Sequence, residues 1–393
     1  MKEPESLLGG AFTNRPHPVL EQLREGCPVT SVAGPRNRHA WVVTRADDVR
    51  TALLDPRLSL QPKDVDPHAA LRRAMDLTLV DYDPPEHTRI RKIVTPLLTP
   101  RRLARYRPQV EAATRELLAA IPRSGPVDLM ASFAGLLPFR IICELFGIAE
   151  TGHGELNRRM AALVDRSGRP RTAVEETLDW FDGFVAAEID RRQGDPGDDL
   201  LSAITAASAA AGDVSRSELI SLCATMMISA VDGAAQMIGI CLVALLTEPA
   251  FAARVRADPA LAPRAVEEVL RWDTSSPFAT MRRATEDFEL AGTVISEGDG
   301  VLVALAAANR DPRRYDSPDR LDLDRPNSDH FGFGFGHHYC LGASLARLEL
   351  EVFVAEFVKS CPGAVLAIPA AELTWRGSFL HRRLENLPVS LTG

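Results

Sequence analysis

The sequence predicts a mainly α-helical protein with small β-sheets at its edge. Apolar residues recur with a spacing near 3.6 over eleven segments, whereas strand-like alternation is confined to a few short stretches. No repeat and no linker-like composition divides the chain, so we expect a single domain over residues 1–393. With 46% hydrophobic residues, a chain of this length can bury a large core without disulfides or metal ions.

The predicted elements follow from that periodicity in chain order. The predicted helices cover residues 18–24, 46–54, 86–98, 101–121, 131–146, 154–165, 173–192, 200–211, 219–246, 259–272 and 341–360. The predicted strands pair 29–33 with 39–44 and 288–295 with 300–303, and a last sheet lies within 364–391. The polar run 194–199 is interpreted as a turn between two helices.

The segment 219–246 is long enough to cross a bilayer, and Asp232 is its single charge. Ser215-Arg216-Ser217-Glu218 has the spacing of a capping box before it, and Glu248-Pro249 ends it. A lone span in mid-chain with a central carboxylate is unusual, so we expect a buried core helix instead. The acidic start of the chain lacks the apolar stretch of a secretory signal, which indicates a cytoplasmic protein.

Charge and cysteine usage exclude further classes. The 45 basic and 53 acidic residues give a net charge of −8, which argues against a nucleic-acid-binding domain. The six cysteines are scattered and form no CxxC pair, as is typical of reduced thiols in the cytosol. No flavin or nicotinamide fingerprint is found in the sequence.

The most specific motif is the segment 333–342, which reads FGFGHHYCLG. Its glycines let the backbone approach a bulky partner, and the helix that follows stabilises a Cys340 thiolate at its first turn. Phe333 is placed to shield the sulfur from water. Three alternatives are a zinc cluster of His337, His338 and Cys340, which lacks a second ligand pair; a phosphate loop, which lacks the Lys-Ser/Thr; and an ordinary buried thiol.

This segment resembles the haem-binding loop of the cytochromes P450, whose pattern Phe-Gly-x-Gly-x-His-x-Cys-x-Gly is intact here. The resemblance implies the cytochrome P450 fold, haem b (iron protoporphyrin IX) as the cofactor, and Cys340 as the thiolate ligand of its iron. It further implies that Phe333, Gly334 and Gly342 contact the haem from the loop and tune the sulfur.

A second motif, Glu268-Val269-Leu270-Arg271, resembles the Glu-x-x-Arg of the same family. The resemblance implies a buried triad of Glu268, Arg271 and a downstream arginine, either Arg325 or Arg320. Taken alone, such a pair is usually a solvated ion pair on one helix face.

A third motif, residues 83–91, resembles the start of the family's third helix. The haem propionates need cationic or hydrogen-bonding partners when they are half buried. By resemblance these partners are His87, Arg91, Arg282 and His338, with Arg283 as the alternative to Arg282. The other interpretation is a surface helix with ordinary arginines.

The central helix departs from the family pattern Ala-Gly-x-Asp/Glu-Thr. The alignment assigns Ala230 and Asp232 to this motif and puts Gly233 in the place of the threonine. The resemblance implies that Asp232 relays protons to bound dioxygen, but the neighbouring hydroxyl is missing. We expect small residues to let the helix widen here, so that dioxygen binding is retained and proton delivery is altered.

By resemblance, the substrate pocket draws on the loop 63–80, the helix pair 155–184, the central helix and two short segments near 276–279 and 378–380. A mostly apolar lining with few polar groups is expected. The expected lining residues are Val80, Ser276, Pro277, Phe278, Ala279, Phe379 and Leu380.

The resemblance to bacterial class I enzymes implies electrons from a ferredoxin and its reductase, because the chain has no reductase domain of its own. A basic cluster is the candidate docking face, although a solvated helical surface explains it equally well. This cluster comprises Arg89, Arg91, Lys92, Arg101, Arg102, Arg105 and Arg107. We expect a monomer without a nucleic-acid or membrane partner.

The expected activity is hydroxylation or epoxidation of a small organic molecule, free or carrier-bound, with O2 as the oxidant, in natural-product biosynthesis. One alternative is oxidative coupling or ring closure of an aromatic or peptide-derived substrate without insertion of oxygen. A third hypothesis is a non-catalytic haem-binding or recruitment protein.

Overall fold

A computed structural model describes residues 10–33, 39–62, 73–164, 169–326, 329–377 and 381–391. Its α-helices are α1 (Gly10–Asn14), α2 (Pro16–Gly26), α3 (Ala46–Leu54), α4 (Glu86–Val94), α5 (Pro100–Leu103), α6 (Arg107–Ala120), α7 (Leu136–Phe146), α8 (His153–Val164), α9 (Arg171–Gly194), α10 (Leu200–Ala211), α11 (Arg216–Thr247), α12 (Pro249–Ala257), α13 (Ala262–Trp272), α14 (Leu305–Ala308) and α15 (Ala343–Ser360). Helices dominate, which confirms the predicted mainly α class.

The strands are β1 (Val29–Ala33), β2 (His39–Val43), β3 (Leu58–Ser59), β4 (Pro126–Asp128), β5 (Arg282–Ala284), β6 (Phe288–Leu290), β7 (Thr293–Ile295), β8 (Gly300–Val303), β9 (Val365–Leu366), β10 (Trp375–Gly377), β11 (Arg382–Leu384) and β12 (Pro388–Ser390). The main sheet has the order β1-β2-β8-β5-β3, in which only the β2–β8 pair is parallel. A second sheet has the order β4-β12-β9, and β6–β7 and β10–β11 are hairpins.

The central helix α11 begins at the predicted capping box. The Ser215 side chain accepts a hydrogen bond from the Glu218 amide, and the Glu218 carboxylate accepts one from the Ser215 amide. The helix passes the length and hydropathy test for a membrane span, but 61% of its most apolar window is buried inside the protein. It packs against α7, α9, α13 and α15, so its apolar surface is covered by other helices.

Three details differ from the predicted elements. The predicted helix 101–121 is divided into α5, a 3-10 turn and α6, since Pro108 fits only at the start of a new helix. The predicted pairing of 288–295 with 300–303 is wrong, because residues 288–295 fold back on themselves as the β6–β7 hairpin. Strand β8 instead pairs with β2 and β5. Helix α11 is also unbroken, so the expected widening at Gly233 does not interrupt it.

The hydrophobic core lies between the long helices, and it positions the functional loop. Helix α15 packs against α6, α11 and α13, so the residues just before its first turn are held from several sides. A smaller apolar cluster joins the main sheet to α3. The segment between β8 and α15 crosses from the sheet to the helical core and carries the glycine-rich motif.

Candidate active site

A cavity of about 420 Å³ lies between α11, the start of α15 and the segment 332–342 that precedes it. Its walls are mostly apolar, and hydroxyl groups lie at a few points. Cavities of this size and character typically bind small organic ligands or cofactors. The Cys340 sulfur lies in one wall, at the end of the glycine-rich motif.

The loop before Cys340 is held by backbone hydrogen bonds. The Cys340 amide donates to the Phe333 carbonyl over 2.9 Å, and the Tyr339 amide donates to the Gly336 carbonyl over 3.0 Å. Gly336 has a φ of +78°, and a Cβ there would lie 3.1 Å from the Leu53 carbonyl oxygen, so glycine fits where a larger residue would not. The loop therefore presents the sulfur in a fixed position.

Burial raises the pKa of the Cys340 thiol, while the amides of Gly342 and Ala343 at the N-terminus of α15 and the guanidinium groups of Arg91 and Arg347 act in the opposite direction. The Cys340 side chain is exposed and lines the cavity. A thiolate at a cavity wall, with amides and cations beside it, is suited to bind a metal cation as a single protein ligand. Within the described parts of the chain, no three His, Cys, Asp or Glu side chains cluster as a metal site of their own.

Basic and imidazole groups gather at another edge of the same cavity. His87, Arg91, Arg282 and His338 all line it, and the rings of His87 and His338 lie 4.3 Å apart between centroids. Burial lowers the pKa of His87 to about 4 and that of His338 to about 3, so both imidazoles are neutral. Arg91 also donates to the carbonyls of His337, over 2.8 Å, and Tyr339. The neighbouring Arg283 does not line the cavity.

Several nitrogen atoms at this edge are buried without a partner. Neither ring nitrogen of His87, nor Nε2 of His338, nor Nε of Arg282 has a hydrogen-bond partner among the described residues. Buried donors are rarely left unpaired, so they indicate a ligand with acceptor groups here. Haem fits these constraints: its carboxylates match this edge, its apolar ring matches the walls, and its iron matches the sulfur.

A buried triad of charges lies behind the loop. Glu268 accepts hydrogen bonds from Nε and Nη2 of Arg271, both over 2.8 Å, and from Nε of Arg325 over 3.1 Å. Arg320 contributes only its carbonyl oxygen, which accepts from both Arg271 and Arg325 over 3.0 Å. Because Arg271 also donates to the carbonyls of Asn309 and Pro318, the triad holds the segment that leads to the cysteine loop.

One face of α11 forms the wall of the cavity. A Cβ added at Gly233 meets no atom within 4 Å, so the space beside this glycine is open. The lining residues recur at intervals of three and four, as one helix face requires. They are Leu222, Thr225, Met226, Ser229, Ala230, Gly233, Ala234 and Met237.

The structure places Asp232 outside the lining of the cavity. Its carboxylate does not line the cavity but pairs with Arg383 on β11, with both oxygens 3.0 Å from Nε. Consecutive helix residues point about 100° apart, so Asp232 faces the β10–β11 hairpin while Gly233 faces the cavity. Gln236, one turn later, accepts from the Leu384 amide over 2.9 Å and attaches the same strand.

The other expected lining residues divide into three groups. Val80, Ser276, Phe278 and Ala279 line the cavity together with Phe333, Gly334 and Gly342. Pro277 does not line it, and its carbonyl accepts from the Ala306 amide on α14. Phe379, Leu380 and residues 63–72 lie outside the described residues, and none of the described residues between 155 and 184 lines the cavity.

Sequence reasoning missed Glu349, a buried acid on α15 that lines the cavity. Its Oε2 atom has no hydrogen-bond partner among the described residues. Burial raises the pKa of Glu349 to about 8, so the side chain is protonated at neutral pH. The signal was available, because Glu349 lies on the face of α15 that carries the buried Leu345, Leu348 and Val352.

Replacement of Glu349 by glutamine is expected to remove a pH-dependent loss of stability. Folding raises the pKa of Glu349, so the stability contributed by its protonated form is complete in acid and is lost as the pH rises towards about 8. Between pH 5 and pH 8, the free energy of unfolding of Glu349→Gln, measured in urea, should rise relative to that of the wild type by about 1 kcal/mol per pH unit. Glu349→Leu, which also cannot ionise, is the control and should show the same trend. A constant difference between wild type and both variants over this range contradicts the assignment.

The fold and this site define a haem-thiolate protein. The Cytochrome P450 family profile matches residues 171–364. The chain is 38% identical to 6-deoxyerythronolide B hydroxylase of Saccharopolyspora erythraea over 389 residues, covering 95% of each chain. It is 36% identical to mycinamicin IV hydroxylase/epoxidase of Micromonospora griseorubida over 371 residues, covering 94% of each.

A solved structure, the ligand-free P450 monooxygenase TamI, superposes with a TM-score of 0.90 at 36% identity, covering 98% of this chain and 93% of that one. This chain belongs to the cytochrome P450 family. It is an oxidoreductase of the monooxygenase type, and its family uses a haem-thiolate cofactor.

Proposed function

We propose that this chain is a soluble, cytoplasmic and monomeric monooxygenase that carries haem b and hydroxylates or epoxidises an organic molecule in natural-product biosynthesis. The observation that carries the proposal is the Cys340 sulfur in the wall of a largely apolar cavity, with unpaired nitrogen atoms at another edge. When bound there, haem supplies the iron that binds dioxygen and gives access to its oxidising power.

In this proposal Cys340 would bind the haem iron, and the amides of Gly342 and Ala343 would stabilise the negative charge of its sulfur. Phe333, with its ring at the cavity, excludes water from the sulfur. His87, Arg91, Arg282 and His338 hold the two propionates. Neutral imidazoles suit this role because they can donate a hydrogen bond without the cost of a buried charge.

Proton supply is assigned to Asp232 on α11, whose carboxylate is held by Arg383. The next residue, Gly233, lines the cavity but has no hydroxyl to pass a proton on, so an ordered water or a hydroxyl of the substrate would complete the path. Asp232→Asn should therefore slow turnover, and an unchanged rate would mean that protons arrive by another path.

The proposed substrate is largely apolar and bears a few oxygen atoms. The described part of the cavity wall combines apolar side chains with the hydroxyls of Thr225, Ser229 and Ser276, and the buried Thr225 hydroxyl has no described partner. The relatives named above are hydroxylases or epoxidases by name, which supports insertion of oxygen as the reaction.

Isotope labelling tests the reaction type. Haem-loaded protein, a ferredoxin and its reductase are incubated under ¹⁸O-labelled dioxygen with 6-deoxyerythronolide B and mycinamicin IV as probes. We expect a product that gains one labelled oxygen atom per molecule. Labelled water under ordinary dioxygen is the control and should leave the product unlabelled. A product without added oxygen, or a dimer, would instead support oxidative coupling, for which the missing hydroxyl at Gly233 is the observation in favour.

Electron delivery is proposed to use a ferredoxin that docks beside α4 and α5. Arg89, Arg105 and Arg107 pair with carboxylates of this chain, and Arg91 serves the cysteine loop. Lys92, Arg101 and Arg102 are exposed and have no ion pair with a described carboxylate. Helix α5 packs against α15, so Arg101 and Arg102 lie near the helix that follows the ligand, and Lys92 lies on α4.

Ferredoxin-supported turnover should fall steeply with ionic strength, because a few exposed charge pairs dominate the encounter. The turnover rate is measured at 50 mM and 300 mM salt for the wild type, for the double variant Arg101→Gln/Arg102→Gln, and for Arg254→Gln on α12 as the control. The double variant should lose most of the salt dependence, and a flat wild-type response contradicts docking at this surface.

A further inference from the structure

A network of side chains encloses the cysteine loop from the side of α13. Arg347, on the second turn of α15, forms a two-point ion pair with Glu267, with distances of 2.7 Å from Nε to Oε1 and 2.9 Å from Nη2 to Oε2. Its Nη1 donates to the Tyr339 hydroxyl over 2.9 Å. The guanidinium carbon also lies 4.6 Å from the centre of the Phe333 ring, in the geometry of a cation–π contact.

Glu267 holds the arginine from the other side. Nε2 of His330 lies 3.3 Å from its Oε2, and Nδ1 of the same ring accepts from the Gly332 amide over 2.9 Å. Nδ1 is thus the acceptor, which leaves the proton on Nε2 to face the carboxylate. Burial acts to raise the pKa of Glu267, but the hydrogen bonds from His330 and Arg347 hold it down at about 2. Glu267 is therefore ionised and anchors the guanidinium at any working pH.

Two of the three residues that Arg347 contacts, Tyr339 and Phe333, are linked directly to Cys340. Tyr339 precedes the cysteine in the chain, and the Phe333 carbonyl accepts the hydrogen bond of the Cys340 amide. Glu267 precedes Glu268, so α13 carries both this network and the buried triad. A forked guanidinium with three partners in fixed directions restrains a loop much more tightly than a single ion pair does.

Arg347 also contributes charge. Its guanidinium contacts the Phe333 ring and the hydroxyl of Tyr339, which directly precedes Cys340, and Arg91 donates to the Tyr339 carbonyl, so both arginines place positive charge at the cysteine loop. A positive charge near an axial thiolate reduces the electron density that the sulfur donates, and it favours the reduced form of a bound iron. The Glu267 carboxylate, which is paired with the guanidinium, offsets part of this field.

We propose that Arg347 is a positioning residue for the cysteine ligand, which fixes the loop through Glu267, Tyr339 and Phe333 and keeps a positive charge beside the sulfur. This inference rests on the proposed function, in which Cys340 binds haem iron. It predicts that the reduction potential and the persistence of thiolate ligation depend on different properties of the side chain, namely charge and forked geometry.

The test is the midpoint potential of haem-loaded protein by spectroelectrochemical titration, together with the lifetime of the thiolate-type spectrum of the carbon monoxide adduct. Arg347→Met removes charge and fork and should shift the reduction equilibrium about tenfold towards the oxidised form, which is about 59 mV for one electron. Arg347→Lys keeps the charge, so its potential should stay within about threefold of the wild type, while its thiolate-type spectrum should be lost sooner. Arg115→Met is the matched control. Arg115, on α6, pairs with Glu356 on α15, the helix that also carries Arg347, but it does not contact the cysteine loop.

A potential of Arg347→Met equal to that of the wild type overturns the inference, even if the variant is less stable. If Arg347→Met does not take up haem, the lysine variant decides: a tenfold shift with the charge retained also overturns it. A wild-type adduct without the thiolate-type spectrum rejects the proposed function itself and the inference with it, so the two failures are distinguishable.

Discussion

Replacement of Cys340 by alanine is expected to abolish turnover, with a loss on the order of a thousandfold or more. The reason is chemical: among the described residues of the cavity wall, Cys340 is the side chain whose neighbouring amides and cations favour an anionic metal ligand. The carbon monoxide adduct of reduced, haem-loaded protein should lose its thiolate-type spectrum. In Cys340→His it should take the form typical of imidazole ligation.

Cys361→Ala is the matched control, since Cys361 is a buried cysteine at the end of the same helix and does not line the cavity. It should keep both the spectrum and the activity. A thiolate-type spectrum that persists in Cys340→Ala contradicts the assignment of the ligand.

The second large effect is expected at the buried triad. Glu268→Ala leaves the guanidinium groups of Arg271 and Arg325 without their carboxylate in a site that is almost completely buried. Breaking a buried ion pair on one side typically costs about 3–5 kcal/mol. Because Arg271 also holds the carbonyls of Asn309 and Pro318, we expect poor haem incorporation as well as a lower unfolding midpoint.

Chemical unfolding at neutral pH measures this cost. Asp324→Asn, which breaks an exposed ion pair with Arg254, is the control and should change stability little. Equal effects of the two substitutions would mean that the triad is not a structural anchor.

Much of the fold followed from the residue pattern, including the antiparallel pairing of β1 with β2, but the pairing of strands far apart in the chain did not. The start of α11 was predictable because Ser215 and Glu218 act on each other's backbone within one turn. By contrast, β8 pairs in parallel with β2, some 260 residues away in the chain, and the residue pattern of neither strand contains that information.

The candidate site divides in the same way. The cysteine loop is a contiguous motif whose glycines and cysteine act locally, so the sequence was sufficient to find it. The orientation of Asp232 depends on Arg383, which lies 151 residues downstream and has no motif of its own. Glu349 was overlooked because acidic side chains on a helix are usually exposed, although the apolar residues on the same face of α15 indicated burial.

The double attachment of β11 to α11 has a mechanical consequence. Asp232 pairs with Arg383, and Gln236, one helical turn later, accepts a hydrogen bond from the Leu384 amide. These two contacts hold β11 rigidly against α11. A bulky ligand can displace β11 from α11 only if the ion pair and the hydrogen bond to the backbone amide both break. Adaptation to ligands of different size is therefore expected at parts of the wall such as Val80, which lies in a short 3-10 turn and not between paired charges.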